Sequence, residues 1–518
     1  MIVFKKLLLF SAATFFCLHP YAQKGKLAWG DLEKKTRLAP SMSQVLYGEG
    51  TDIITLGFKE QGKTLTPVIT RFDEKLDQQN EKELFANEKD VNFHSFFNLK
   101  GSLVMFTKQY DKDEKFTSFF ATLIDPVSLG VTATKEVGKF DAISKKNQAN
   151  IRMSISPDTS SVLILANAPY AKNESEKFFI SVWDNKMNKK WDKMITLPYP
   201  DKYVAVDQFQ VSNEGDVYVM CKHYDREVTS EKVKEDGKVI PSYKYKIFIY
   251  SKNGGAPTEH TMDFQGKFVH GATLLFNSDG NVTLLGLYTS YYNSNVTGHF
   301  MATFDKNTKL VNVKKMEQFP REELINLVKK DDCASNQEKN PGLFNSFSIK
   351  GTNKRNDGSL DMIIEYNYMY IHRYKSGYYY YEYPVYVAND IVVINYKKDG
   401  KVVYTRVPKA QTTPFNGDFI SFKWMNQGNS LLLFYNDSQS NLERDLTKGP
   451  KKLKKVNKSD FVMAVINEKG ELQRQTVFSN KGMDVIAKIT SCQPVTATTL
   501  IIYAEMGKRH QFGSLKFL

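Results

Sequence analysis

The sequence predicts an all-β fold: a β-propeller of four-stranded antiparallel blades, its ring closed by a strand from the N-terminal end. Three observations predict it. A strand, a polar turn and a markedly apolar strand recur eight times along the 518 residues. The apolar strands are continuous runs, as expected of strands buried on both faces. The last unit is one strand short, while an isolated strand stands near the start. The expected count is eight blades, or seven if one weak unit is an insertion.

The repeat comes first because a missed period would misassign the whole chain. It reads GEGTDIITLGF from Gly48, NLKGSLVMFTKQY from Asn98, SPDTSSVLILANA from Ser156 and SNEGDVYVMCKHY from Ser212. It continues as NSDGNVTLLGLYT from Asn277, RNDGSLDMIIEYN from Arg355, NQGNSLLLFYND from Asn426 and QPVTATTLIIYAE from Gln493. Gly and Asp tolerate the backbone angles of tight hairpins, which gives these turns a mechanism. A third strand follows each apolar one, as in YKIFIYSKNGG from Tyr245 or DIVVINYKKDGK from Asp390, and a fourth then departs, as in KVVYTRVPKAQ from Lys401. Four strands joined as a meander and repeated radially make a propeller. The residues from Lys26, KLAWGDLEKKTRLAP, read as the outer strand that the last unit lacks. Closing the ring in this way leaves no large open sheet edge. An outer-membrane barrel is the competing all-β fold, but its strands alternate apolar and polar, and SVLILANA, VTLLGLY and SLLLFY do not.

Two segments depart from the repeat. Phe319 to Asn340 places Leu324, Leu327 and Val328 at helical spacing, with Glu322 and Glu323 near the start and Lys329 and Lys330 near the end. Such charges suit a helix dipole, and Pro320 suits a first turn; a short helical insertion is expected over about 319–340. The other segment, Glu365 to Val387, holds ten tyrosines in twenty-three residues. Tyr366, Tyr368, Tyr370 and Tyr374 share a parity and so one face of a strand. Lys375 to Gly377 can turn the chain, and Tyr378 to Tyr383 can return antiparallel. The hairpin, about 365–387, is longer than its neighbours and should project from the rim. Tyr374, Tyr378, Tyr379, Tyr380, Tyr381 and Tyr383 are the candidate contact residues for a partner protein or sugar rings, since tyrosine joins apolar area to a polar tip. The plainer reading is an overlong hairpin held by its own stacking.

The N-terminus carries Lys5 and Lys6 before an apolar core from Leu7 to Leu18. That core is too short to span a bilayer, which takes roughly twenty residues, and suits a secretory signal peptide. The expected division is a signal peptide over 1–22, cleaved after Ala22, and one propeller domain over 23–518. Phe15 and Phe16 stand where a lipobox needs small residues, so Cys17 reads as an apolar filler. No later run is long enough for a transmembrane segment. The mature chain keeps Cys221, Cys333 and Cys492, an odd number that argues against a disulfide framework. Formal charge is +14, and +12 once Lys5 and Lys6 are gone. One run is dense, KGPKKLKKVNK from Lys448 to Lys458, and reads first as a solvated loop. Nucleic acid is not expected as a partner, since no reader motif is present.

No G-x-S-x-G elbow, P-loop, H-E-x-x-H or C-x-x-C occurs, so no catalytic residue, cofactor or metal is assigned. His94, His223 and His270 fall near inner or second strands, where a channel-side cluster or separate structural histidines are the two readings. Asp158 and Asp279 match a sialidase-type Asp box in position only. The segment from Trp183 to Ile195 lacks the Ala-x-Asp and Thr-Gly signatures of quinoprotein propellers.

From Gly358 the sequence resembles a set of uncharacterised exported proteins of the Bacteroidota. In these a tyrosine-rich stretch runs into an ND-I-V-V strand, a DG turn and an IPK-x-Q-like strand. The matching residues are Asn389, Asp390, Asp399, Gly400, Pro408, Lys409, Gln411, Asn436 and Asp437, within about Leu343 to Asp437. The resemblance brings no agreed activity or catalytic residue. It implies a bacterium with a type IX secretion system, whose cargo ends in a separate β-sandwich sorting domain. This chain ends on a strand of the last unit, so periplasmic residence is expected, at or near the outer membrane. The partner expected is another envelope protein or outer-membrane complex, with a non-catalytic scaffold or plug role; a glycan-binding or glycan-cleaving propeller is the alternative.

Overall fold

The computed structural model describes residues 25–34, 41–47, 52–61, 64–86, 88, 90–170, 173–225, 230–277, 280–309, 311–327, 342–445 and 449–517. The expected signal peptide, Cys17, Cys333, Asp279, Lys448 and the remainder of the expected helical insertion lie outside the described residues.

Among the described residues the chain forms eight sheets of four or more strands, in sequence order, together with one two-stranded hairpin. Each sheet is an antiparallel meander, from an inner strand such as Asn150–Ile155 to an outer one such as Lys189–Pro200; in chain order blades one to seven span 41–83, 91–148, 150–200, 204–262, 268–318, 347–414 and 423–479, and blade eight is the closing sheet of 486–517 with 25–34. The closing sheet takes four strands from the end of the chain, Ile486–Ala487 and Gln493–Thr496 both pairing with Thr499–Met506, and Gly25–Trp29 pairs along Arg509–Phe517, with Gly25 opposite Phe517 and Trp29 opposite Gly513. Trp29 meets Phe478 of the preceding blade edge-on, at 5.1 Å. Trp29→Ala, which removes this bolt while leaving the strand, is expected to cost about 3 kcal/mol, read as a lowered urea midpoint.

The apolar runs are continuous because neighbouring residues serve different interfaces. Val162 and Ile164 pack toward blade two, while Leu163 and Leu165 pack toward blade four. The same division recurs around the molecule and produces eight apolar cores, each between successive sheets. The eighth joins Val45, Ile53 and Phe72 of the first sheet to Ile501, Tyr503 and Phe512 of the last, so the ring is closed by packing as well as by pairing. Cys221 and Cys492 are buried in these cores as free thiols, as small apolar side chains commonly are.

Polar side chains stitch the inner strands across the same junctions. His94 Nε2 lies 3.1 Å from the Ile151 carbonyl, and His270 Nε2 lies 2.7 Å from that of Phe347. Arg152 donates to the Val206 carbonyl and Gln208 to that of Ala272. His94 and His270 each sit where the register of an inner strand shifts by one residue, a bulge that re-aims a side chain. His223 instead packs on Tyr199, at 4.1 Å. The three histidines are thus separate structural contacts, not a cluster. Between blades six and seven, buried Arg355 pairs with Asp361 at 2.8 Å and donates to the carbonyls of Asn429 and Asn467.

The described part of the expected helical insertion is the helix Arg321–Leu327, with Leu324 and Leu327 buried against blades five and six. A second insertion, not anticipated, is the hairpin of Lys232–Glu235 and Lys238–Pro241 between the second and third strands of blade four.

Candidate functional site

In a meander, the connection between second and third strands and the link to the next blade fall at the same end of the sheet. That end carries most of the exposed large apolar side chains: Tyr170, Tyr291, Tyr292, Phe415 and the tyrosine hairpin. Val127 and Val131 lie at the other end. A cavity of about 290 Å³ opens at the aromatic end, lined by Glu231, His270, Tyr292 and Asn345 among others.

The hairpin is made of Leu360–Ser376 and Tyr379–Tyr396, the longest strands described. Its register pairs Tyr374 with Tyr381, His372 with Tyr383 and Ser376 with Tyr379. Lys375 and Ser376 therefore still belong to the strand, and the turn is Gly377–Tyr378, one residue later than the sequence suggests. Gly377 has φ +61°, which suits the first position of a type II′ turn. Side chains are exposed from Tyr368 onward, and Tyr378 at the tip is 97% exposed.

On one face the rings form a ladder. Phe344, Tyr366, Tyr368 and Tyr370 follow one another at 5.4–6.2 Å between centroids. Further out, Tyr374 stacks on Tyr381 at 5.4 Å and 22°, and Tyr383 on Phe415 at 4.6 Å and 30°. The two outer pairs are stacked, while the inner rings are tilted against one another, with Tyr368 and Tyr370 exposed. The opposite face presents exposed Met369 and Ile371, an Arg373–Glu382 ion pair and Tyr380 near Lys375 Nζ, at 5.9 Å. Of the six candidate tyrosines, Tyr374, Tyr381 and Tyr383 join the ladder, Tyr379 shares its face, Tyr380 lies opposite and Tyr378 forms the turn.

The base of the hairpin explains the residues that carry the family resemblance. Lys409 Nζ, fully buried, donates to Glu365 Oε1 at 2.7 Å, Gln411 Oε1 at 2.9 Å and the Ala388 carbonyl at 3.0 Å. Ser421 Oγ donates to Glu365 Oε2 at 2.8 Å, and Gln411 Nε2 to the Asn436 carbonyl at 2.6 Å. Asn436 Nδ2 reaches the carbonyls of Phe419 and Ala487, which ties blade seven to blade eight. Asp390 accepts from Arg406 and from the Lys409 backbone, while Asn389 accepts from the Gln411 backbone. Burial lowers the Lys409 pKa against the opposing pull of Glu365, and burial pushes Asp437 up to about 6. Asn389, Asp390, Lys409, Gln411 and Asn436, scattered over forty-eight positions, form one polar foundation under the hairpin.

That foundation positions a short strand, Gln411–Pro414, alongside Val385–Ala388 of the hairpin. Phe415 follows with φ +67°. A bulky residue in the left-handed region is strained, and here its amide donates to the Pro384 carbonyl at 2.8 Å while its ring covers Tyr383. The sequence reading missed Phe415; a Pro-Phe-Asn-Gly turn with an apolar residue at its tip was the available signal. It also left the lysine run as an isolated loop. Leu453 of that run is buried, bridges Gln411 and donates its amide to the Ala410 carbonyl at 2.7 Å, so the lysines flank the hairpin base.

Glu176 and Asp201 share a hydrogen bond at the junction of blades three and four, with Glu176 buried, whereas glycosidase carboxyls stand roughly 5–9.5 Å apart across a cleft. Among the described residues no group of three metal-ligating side chains occurs, and no helix is long and apolar enough to cross a membrane.

No family model and no curated protein matches the chain. Among solved structures it is similar to the β-propeller domain of the Trilobed protease from Pyrococcus furiosus, at 11% identity and TM-score 0.36, covering 86% of this chain and 98% of that one. It is also similar to the WD40 domain of SCAP from fission yeast, at 7% identity and TM-score 0.37, over 95% and 94%. A third is polysaccharide lyase Uly1, at 9% identity and TM-score 0.34, over 95% and 100%.

Proposed function

We propose that this is an exported, non-catalytic propeller of the periplasm that docks another envelope protein through the aromatic hairpin. Its role is that of a scaffold, or of an accessory or plug subunit of an outer-membrane transport or secretion assembly of the type IX kind. Export rests on the basic and apolar pattern of residues 1–22, and the bacterial setting on the Bacteroidota-like residues from Asn389 to Asp437. The observation that carries docking is the projecting tyrosine ribbon, exposed on both faces and seated on a rigid buried foundation. Tyrosine is among the residues that concentrate binding energy at protein interfaces.

The same ribbon is the basis of the alternative, a glycan-binding or glycan-cleaving propeller. Sugar platforms present open ring faces, and here Tyr374 stacks on Tyr381 and Tyr383 on Phe415, which favours a protein partner. The test is purification of the tagged protein from its native envelope in mild detergent. Wild type is expected to bring down a specific partner. The variant Y378S/Y379S/Y380S, which alters only exposed side chains, should keep its stability within about 0.5 kcal/mol and lose the partner. Recovery of wild type only as a free monomer, or full capture by the variant, overturns the reading; loss of folding would mean that the tyrosines serve packing alone.

A further inference from the structure

Lys451, Lys452, Lys454, Lys455 and Lys458 are all exposed, and none forms an ion pair with a carboxylate among the described residues. An exposed lysine loop is ordinarily mobile solvent-facing chain, yet this one is pinned at its centre by Leu453. The bridge to Gln411 is parallel, so the chain leaves Leu453 toward the hairpin tip, carrying Lys454 and Lys455 in that direction. Strands lie about 4.8 Å apart, which places Leu453 about 10 Å from the returning strand, with only Gln411–Pro414 between. Beyond Pro384 that returning strand has no strand neighbour on this side among the described residues: Gln411–Pro414 pairs with Val385–Ala388 only. Tyr379 to Tyr383 thus offer an edge without a strand partner among the described residues, and the lysines around Leu453 stand near the foot of that edge.

We infer that this corner takes an extended, acidic segment of the partner protein, its backbone adding to the free hairpin edge and its carboxylates meeting the lysines. The inference rests on the docking role proposed above and names the chemistry of what docks. Extended segments bind sheet edges through main-chain hydrogen bonds, and opposed charge sets the approach and register. Net charge alone does not explain the arrangement, because turn lysines such as Lys186, Lys306, Lys398 and Lys469 lie at the opposite end, away from the free hairpin edge.

The test uses a fluorescein-labelled decaglutamate peptide and polygalacturonate as probes, with native-envelope capture in parallel. K451E/K452E/K454E/K455E is compared with K186E/K306E/K398E/K469E, which changes the charge equally at the far end. The first variant should weaken peptide binding by about tenfold or more, while the second stays within about twofold. The first should also lose the native partner. Equal losses in both variants would reduce the effect to net charge and overturn the inference. Polygalacturonate binding tighter than the peptide, with the same loop dependence, would overturn it in favour of an acidic glycan. Partner capture that survives loop reversal but not Y378S/Y379S/Y380S would leave docking standing and remove the acidic segment; capture that survives both removes both. Circular dichroism and the thermal midpoint check folding, and the milder K451Q/K452Q/K454Q/K455Q, expected to weaken the peptide several-fold, replaces the reversal if that fails to fold.

Discussion

Replacing Lys409 with methionine is expected to destabilise the protein by about 3–5 kcal/mol, the usual cost of leaving one member of a buried ion pair without its partner. Lys409 is fully buried and spends three donors on Glu365, Gln411 and the Ala388 carbonyl. Without it, Glu365 keeps Ser421 and the more distant Lys350, at 3.4 Å, which is too little for a carboxylate with no solvent access. The measurement is the urea midpoint followed by tryptophan fluorescence, to which Trp424 of blade seven contributes. The pair should also show strong coupling: K409M/E365M is expected to recover at least half of the loss, because two apolar side chains leave no stranded charge. Simple additivity of the two single losses would mean that the lysine matters for its packing and not for the pair. Because Lys409 also fixes Ala388 and Gln411, K409M should loosen the hairpin base and weaken partner capture before the ring unfolds.

This foundation also marks the limit of what the sequence disclosed. The meander and its closure were legible because they follow from local chemistry: Gly and Asp in tight turns, and runs such as Val162 to Leu165 that bury both faces. The strand from Gly25 was legible because the last unit ends one strand short. The polar network was not, since Glu365, Lys409, Gln411, Ser421 and Asn436 come from separate strands and connections, and only the fold brings them together. Even Lys409, singled out by resemblance, carried no role until Glu365 appeared beside it. The hairpin was recognised from its tyrosines, but its true boundary, from Tyr368, depends on where the inner strand Phe347–Lys354 stops pairing. Phe415 and the lysine loop reach the site through a strand of four residues and a single bridge, contacts too brief to leave a periodic signature.

The second large effect concerns pH and lies at the other side of the ring. Glu176 is buried, accepts from Asn167 Nδ2 at 2.6 Å and shares a hydrogen bond with Asp201, in the short turn that carries the chain from blade three to blade four. Burial first, and the acid beside it, push its pKa up to about 8. A carboxyl raised in the folded state binds its proton more tightly there than in the unfolded chain. Its contribution is therefore fully present below the unfolded value, near 4.3, and is lost as pH rises through about 8. One proton linked in this way changes stability by about 1.4 kcal/mol per pH unit, so about 4 kcal/mol should disappear between about pH 5 and about pH 8. E176Q cannot ionise, keeps an acceptor for Asn167 and can donate to Asp201. It should match wild type near pH 5 and exceed it near pH 8, with a flatter profile of urea midpoint against pH. Asp437, raised by burial to about 6, adds a smaller loss of the same sign, so D437N should remove the remaining slope in the lower half of that range. Parallel profiles for wild type and E176Q would show that the two carboxyls do not share a proton. A steeper profile for E176Q would reverse the sign and place the destabilising charge elsewhere in the ring.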